Sequence, residues 1–153
     1  MWEIRILTVG KTKNRSIKEE IERLADKVKD EWKVSISSIS LADSSIPSIK
    51  AKKESEELIS NLPKDSLHFF LDPCGKEYDS DSFYKLLKKE KDLGRKVSFA
   101  VGGAYGFDKN ILKDKGTFIS LSKMTFSHEL SLLMLIEQIY RAYTLYKNIP
   151  YSK

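Results

Sequence analysis

The apolar positions of this chain change period several times, from two to 3.6 and back, and each change marks an element boundary. Trp2–Val9 alternates as a strand does, with Ile4 and Ile6 on one face. Ser16-Ile17-Lys18-Glu19 has the spacing of a capping box, and Ile17, Ile21, Leu24 and Val28 then line one side of a helix. Residues 33–41 form a second strand, with Val34 and Ile36 in one phase and Ile39 and Leu41 in the other, so a bulge is expected at the change. A helix over residues 48–60 would bury Ile49, Leu58 and Ile59. Residues 67–71 are a short apolar strand, and Asp79 or Ser80 caps a helix carrying Phe83, Leu86, Leu87 and Leu93. Lys96–Val101 is a strand with residues 102–106 as its exit loop. A short helix over 108–115 leads to a strand over 117–121, and Ser127 opens a long helix over 128–146. Strands alternating with helices predict an α/β fold with a mainly parallel sheet. No repeat, low-complexity tract or linker interrupts the 153 residues, so residues 1–153 read as one domain.

Composition narrows the class. Hydrophobic residues make up 41% and charged residues 32%, a globular balance. No apolar run is long enough to span a bilayer, and the N-terminus reads as a strand, so no membrane association is expected. The single cysteine, Cys74, cannot form a disulfide within the chain, which makes a cytoplasmic location the expectation. The net charge of +5 suits a polyanionic partner, and equally suits ordinary lysine-rich solubility.

Several short patterns imitate known chemistry without carrying it. Gly10-Lys11-Thr12 resembles the end of a phosphate-binding loop, but that loop needs glycine where Arg5 stands. Residues 102–106 resemble a dinucleotide fingerprint that would need glycine at Val101. His68 and His128 are far apart and Cys74 stands alone, so no metal-ligand cluster is expected and no nucleophile pair has a local signature. His68, within an apolar strand, reads as a hydrogen-bonded structural histidine.

Three segments end strands and then break regular structure: Leu71-Asp72-Pro73-Cys74-Gly75, Val101-Gly102-Gly103-Ala104-Tyr105-Gly106 and Leu121-Ser122-Lys123-Met124-Thr125-Phe126. In an open α/β sheet, ligands bind beyond the carboxyl ends of the strands, so these loops can build one pocket. The glycines would let backbone groups approach a flat ligand closely. Ser122 and Thr125 add hydroxyls, and Leu71, Met124 and Phe126 add an apolar wall. That combination suits an adenosine group; the glycines can equally do no more than shape tight turns.

Gly102-Gly103-Ala104-Tyr105-Gly106-Phe107, the run from Leu121 to Leu130, Glu137-Gln138-Ile139-Tyr140-Arg141-Ala142 and Pro150-Tyr151 stand in the order and spacing of one family. They resemble the bacterial large-subunit ribosomal RNA pseudouridine N3-methyltransferases, the RlmH family of the SPOUT class. Val9-Gly10-Lys11, and Leu71-Asp72 with Gly75-Lys76, extend the resemblance over nearly the whole chain. It implies a compact SPOUT-type α/β fold with a C-terminal trefoil knot, a homodimer, S-adenosyl-L-methionine as cofactor and ribosomal RNA of the ribosome as substrate. The cofactor contacts it implies are Leu71, Gly102, Leu121, Ser122, Lys123, Met124, Thr125 and Phe126. Methyl transfer to N3 of a pseudouridine also requires loss of the N3 proton. His128 is one candidate for that work, with a structural helix-start histidine as the equal alternative. Tyr151 is a second candidate residue, placed by the resemblance in a tail that crosses the cofactor pocket of its own chain or of a partner. Lys11, Lys13, Arg15, Lys123 and Lys153 are candidate phosphate contacts. The chain departs from the family pattern at Ser152, where a histidine is usual, and at Leu132, where many members carry arginine. Two other functions are therefore weighed: a SPOUT methyltransferase for another RNA, and a degenerate RNA- or ribosome-binding protein.

Overall fold

The computed structural model describes residues 1–151. Five strands and five helices alternate: β1 (Trp2–Val9), α1 (Arg15–Asp26), β2 (Trp32–Ile39), α2 (Pro47–Asn61), β3 (Ser66–Glu77), α3 (Ser80–Asp92), β4 (Lys96–Val101), α4 (Lys109–Leu112), β5 (Thr117–Ser120) and α5 (His128–Lys147). All strand pairs are parallel, in the order β2-β1-β4-β3-β5, so the expected α/β architecture stands.

Alternation along each strand sorts side chains into two cores. Trp2, Ile4 and Ile6 of β1 join Val97, Phe99 and Phe69 beneath α1, α3 and α5. Leu7 and Val9 join Phe70 and Ala100 beneath Leu58 of α2 and Leu112 of α4. Crossovers running one way along the sheet carry α1 and α3 on one face, and those running back carry α2 and α4 on the other. That is the pattern of right-handed connections throughout. β4 and its neighbours β1 and β3 therefore leave the sheet toward opposite faces. A crevice opens between them at the carboxyl end of the sheet.

Local details differ from the sequence reading. Asn14, not Ser16, caps α1: its Oδ1 accepts the Ile17 N–H at 3.1 Å while its backbone is still extended. Glu19 pairs with Arg15 instead of closing a box. β2 has no bulge, since its register with β1 runs unbroken from Trp2↔Trp32 to Val9↔Ile39. The two apolar phases are the two faces of one regular strand, Trp32 and Val34 toward α1 and α5 and Ile39 toward α2. Leu41 lies past the strand and is exposed. The bulge belongs to β3, where both Leu71 and Lys76 pair with Ile119 and residues 72–75 loop out. On α2 the buried positions are Ala51, Glu54, Ser55 and Leu58, a stripe at i, i+3, i+4 and i+7. Ile49 falls off that stripe and is exposed, and Leu93, beyond the end of α3, is exposed too. His68 is the structural histidine expected, with Nδ1 2.6 Å from Ser98 Oγ.

The strongest single packing feature is Trp32, absent from the sequence-based strand. It is fully buried, its ring meeting Trp2 at 5.2 Å, Tyr143 at 5.4 Å and Tyr146 at 5.7 Å between centroids. Trp32→Ala should cost about 3–5 kcal/mol, read as a drop in thermal midpoint of roughly 10 °C or more. Trp32→Phe should cost much less, because the indole N–H it removes has no acceptor among the described residues. Equal midpoints for wild type and Trp32→Ala would contradict this packing.

Candidate functional site

The bulge within β3, the loops after β4 and β5 and the start of α5 enclose one cavity of about 380 Å³, within the size range of small-molecule sites. Leu71, Asp72 and Pro73 form one wall, residues 101–104 and Gly106 another, and residues 121–122 and 124–128 with Ser131 the third. Each loop is tied down locally. Asp72 accepts the Cys74 N–H at 2.8 Å and pairs with Lys109 at 3.2 Å. Ser122 Oγ accepts the Met124 N–H at 3.0 Å, and Ser120 Oγ donates to the Ser122 carbonyl at 2.8 Å. Ser127 caps α5 by accepting the Leu130 N–H.

His128 enters the cavity from the first turn of α5, and its Nε2 is buried without a hydrogen-bond partner among the described residues. The next residue, Glu129, turns away and accepts the backbone N–H groups of Lys13 and Asn14. The Lys13 N–H, foremost, holds the Glu129 carboxyl below the ordinary glutamate range. This contact ties the loop after β1, with Lys11 and Lys13, and the start of α1 at Arg15, to the helix that walls the cavity.

Of the residues expected to contact a cofactor, Leu71, Gly102, Leu121, Ser122, Met124, Thr125 and Phe126 all line the cavity. Lys123 does not: its side chain is exposed and pairs with Glu77 at 3.4 Å. Tyr151 is not brought to the cavity of its own chain. Its hydroxyl donates to Glu137 Oε1 at 2.9 Å, and its ring lies 4.4 Å from the Arg141 guanidinium and 5.1 Å from Tyr140. Tyr151 is thus folded against α5, about three turns from His128. Glu137 also pairs with Arg141, the i,i+4 contact their spacing suggests. Ser152 and Lys153 lie outside the described residues. Leu132, where the resemblance has arginine, is buried in the core and offers no cation.

A larger groove of about 700 Å³ runs along α1 and β2, lined by Lys11, Lys18, Lys29 and Lys33 with Glu22 and Asp26 on its sides. No glycine is among its lining residues. Its wall includes Leu132 of α5, so the first turns of that helix separate groove from cavity. No helix among the described residues is long and apolar enough to cross a membrane, and no group of three or more metal-ligating side chains is found among them.

The family model described as "Predicted SPOUT methyltransferase" matches residues 2–152. The chain belongs to the SPOUT methyltransferase family. Curated relatives of this SPOUT chain include the ribosomal RNA large subunit methyltransferase H of Christiangramia forsetii, 33% identical over 97% of each chain. Those of Kosmotoga olearia and Flavobacterium psychrophilum are each 36% identical over 97% of each chain. Among solved structures, a probable methylase family protein from Haemophilus influenzae Rd KW20 superposes with a TM-score of 0.59 at 11% identity. It covers 98% of the SPOUT chain and 70% of its own, a likeness of fold.

The residues that sequence reading passed over are the ones that brace these loops. Asp72 and Glu129 act on residues of the loops, and Ser55 of α2 accepts the Asp108 N–H at 2.8 Å. Only Asp72 carried a local signal, as an aspartate two residues ahead of an N–H in a loop.

Proposed function

We propose that the protein transfers a methyl group from S-adenosyl-L-methionine to N3 of a pseudouridine in large-subunit ribosomal RNA. The observation that carries this reading is the convergence of the β3 bulge and the loops after β4 and β5 on one cavity, in a chain whose family and curated relatives are methyltransferases. The cavity fits the cofactor on its own evidence. It offers glycine backbone at Gly102 and Gly103, hydroxyls at Ser122 and Thr125, and apolar surface at Leu71, Leu121 and Phe126. S-adenosyl-L-methionine, when bound, supplies a sulfonium methyl group open to direct attack by the pseudouridine nitrogen.

The chain's own contribution is to hold the two reactants in line and to take a proton. Alignment of nitrogen, methyl carbon and sulfur is worth several kcal/mol without covalent participation by the protein. His128 is the residue placed to accept the N3 proton. It lines the cavity, and its Nε2 is buried without a hydrogen-bond partner among the described residues. With the proton on Nδ1, that nitrogen is an acceptor. The lysines of the loop after β1 and of the adjoining groove would meet RNA phosphates. Mass spectrometry of ribosomal RNA from a strain lacking this protein tests the reading. An N3-methylpseudouridine level in large-subunit RNA equal to that of wild type would remove it, and a lost methyl group on another RNA would favour a different substrate.

The protein is proposed to act as a homodimer. α5 lies between α1 and α3, so most of its apolar circumference is covered within one chain. Leu130 and Leu145 remain exposed, with Leu133 and Met134 only half-buried. A second copy would cover them. Light scattering at micromolar concentration should give twice the mass of the chain; a monomer there would refute the dimer. The segment 121–127 is proposed to be threaded as the family's trefoil knot. It runs from the sheet edge at β5 across the strand ends to α5.

In such a dimer the tail would serve RNA positioning, with Tyr151 stacking on the target base. Deleting residues 151–153 should leave cofactor affinity nearly unchanged and slow methylation of ribosomes by about tenfold or more. Methylation at the wild-type rate after truncation would exclude a role for the tail.

A further inference from the structure

The cavity rests on a buried acid that the proposed chemistry leaves unused. Glu54 of α2 is 1% exposed. Its Oε2 accepts the Ala42 N–H at 3.0 Å. Its Oε1 is buried and has no hydrogen-bond partner among the described residues. A buried carboxylate oxygen left without a donor is costly, so its retention calls for a partner. The nearest candidate is the glycine loop. A Cβ placed on Gly103 would lie 2.8 Å from Oε1, which puts that oxygen directly under the loop and allows only glycine at this position without displacement. Ser55, the next residue of α2 and fully buried, already holds the far end of the same segment through the Asp108 N–H. The N–H groups of Gly103, Ala104 and Tyr105 donate to no backbone carbonyl among the described residues. A buried acceptor without a partner among the described residues thus lies against the backbone of the glycine loop, next to Gly103, which lines the cavity.

We propose that Glu54 is a positioning residue of this site: when a ligand fills the cavity, the loop over residues 102–106 settles onto Glu54 Oε1, which accepts a backbone N–H from Gly103 or Ala104. The inference rests on the cofactor reading of the cavity. It explains why a carboxylate stands there. Two acceptors are needed, one for Ala42 and one for the loop. A carboxylate supplies both, whereas an amide of the same shape supplies one acceptor and one donor.

Glu54→Gln is therefore the informative variant. Its oxygen can stay on the Ala42 N–H while its amino group faces the loop, so the unliganded protein should fold and melt close to wild type. Affinity for S-adenosylhomocysteine, measured by calorimetry, should fall about tenfold or more because donor now meets donor. In parallel, hydrogen exchange followed by mass spectrometry should show the amides of residues 103–105 slowed by S-adenosylhomocysteine in wild type and not in the variant. Unchanged affinity in a folded Glu54→Gln protein would overturn the inference. So would wild-type protein that binds the ligand with no added protection at 103–105, a readout that holds even if the variant fails to fold. A wild type that binds no S-adenosylhomocysteine at all would overturn the cofactor reading, and this inference with it.

Discussion

Gly102→Val should abolish binding of S-adenosylmethionine and S-adenosylhomocysteine in a protein that still folds. Gly102 is the first residue beyond β4 and lines the cavity. A Cβ there would lie 3.2 Å from Cζ of Phe107 and 3.4 Å from the Gly106 Cα. Phe107 cannot easily yield, because it is buried in the core beneath α2 and α4, 5.9 Å from the ring of Phe70. The two methyl groups of valine are stiff about χ1 and must find room on the open side, which is the cavity. They would occupy the space in which a ligand meets the glycine backbone. Calorimetry should register no binding at concentrations where wild type saturates, with the circular dichroism spectrum unchanged. Undiminished binding by a folded Gly102→Val protein would mean that the cofactor sits elsewhere, the larger groove beside α1 being the next place to look.

His128→Ala should lower kcat by about 100-fold or more while leaving cofactor affinity near wild type, the loss typical of removing a positioned acid–base group. Ser127 caps α5 independently of His128, so the helix start should survive the change. Glu129 would still hold the loop after β1. His128→Gln separates chemistry from packing: glutamine fills much of the same space and can form hydrogen bonds but cannot take a proton near neutral pH. It should be as slow as the alanine variant under single-turnover conditions. A glutamine variant working at the wild-type rate would return His128 to a structural role and leave the proton acceptor to be sought among other groups lining the cavity.

The elements were legible where a physical rule acts within a few residues. Asp79 and Ser127 cap their helices as their positions suggested. Ile4 and Ile6 share a core, and the two phases of β2 belong to two faces. The rule misled where two residues compete for one local role, as Asn14 and Ser16 did for the start of α1. It also misled where a stripe had more than one possible phase, as with Ile49 on α2. Trp32 was missed because its burial comes from Trp2, Tyr143 and Tyr146, and no local period records those neighbours.

Alternating strands and helices, the loops at the ends of β4 and β5 and the glycines at 102 and 103 were determined by the sequence itself, because backbone sterics and the two side-chain periods act locally; the break after Leu71 proved to be a bulge within β3, which continues to Glu77. Which loops meet was decided by the tertiary structure. The order β2-β1-β4-β3-β5 sets β3 between β4 and β5, and that adjacency brings residues 71, 102 and 121 to one cavity. The same nonlocal packing carried Glu54 beneath Gly103, Glu129 onto Lys13, Lys123 toward Glu77 and Tyr151 onto Glu137. Hydrogen bonds and ion pairs between residues fourteen to more than a hundred positions apart depend on where the sheet and helices place them, and short-range patterning carries no information about that.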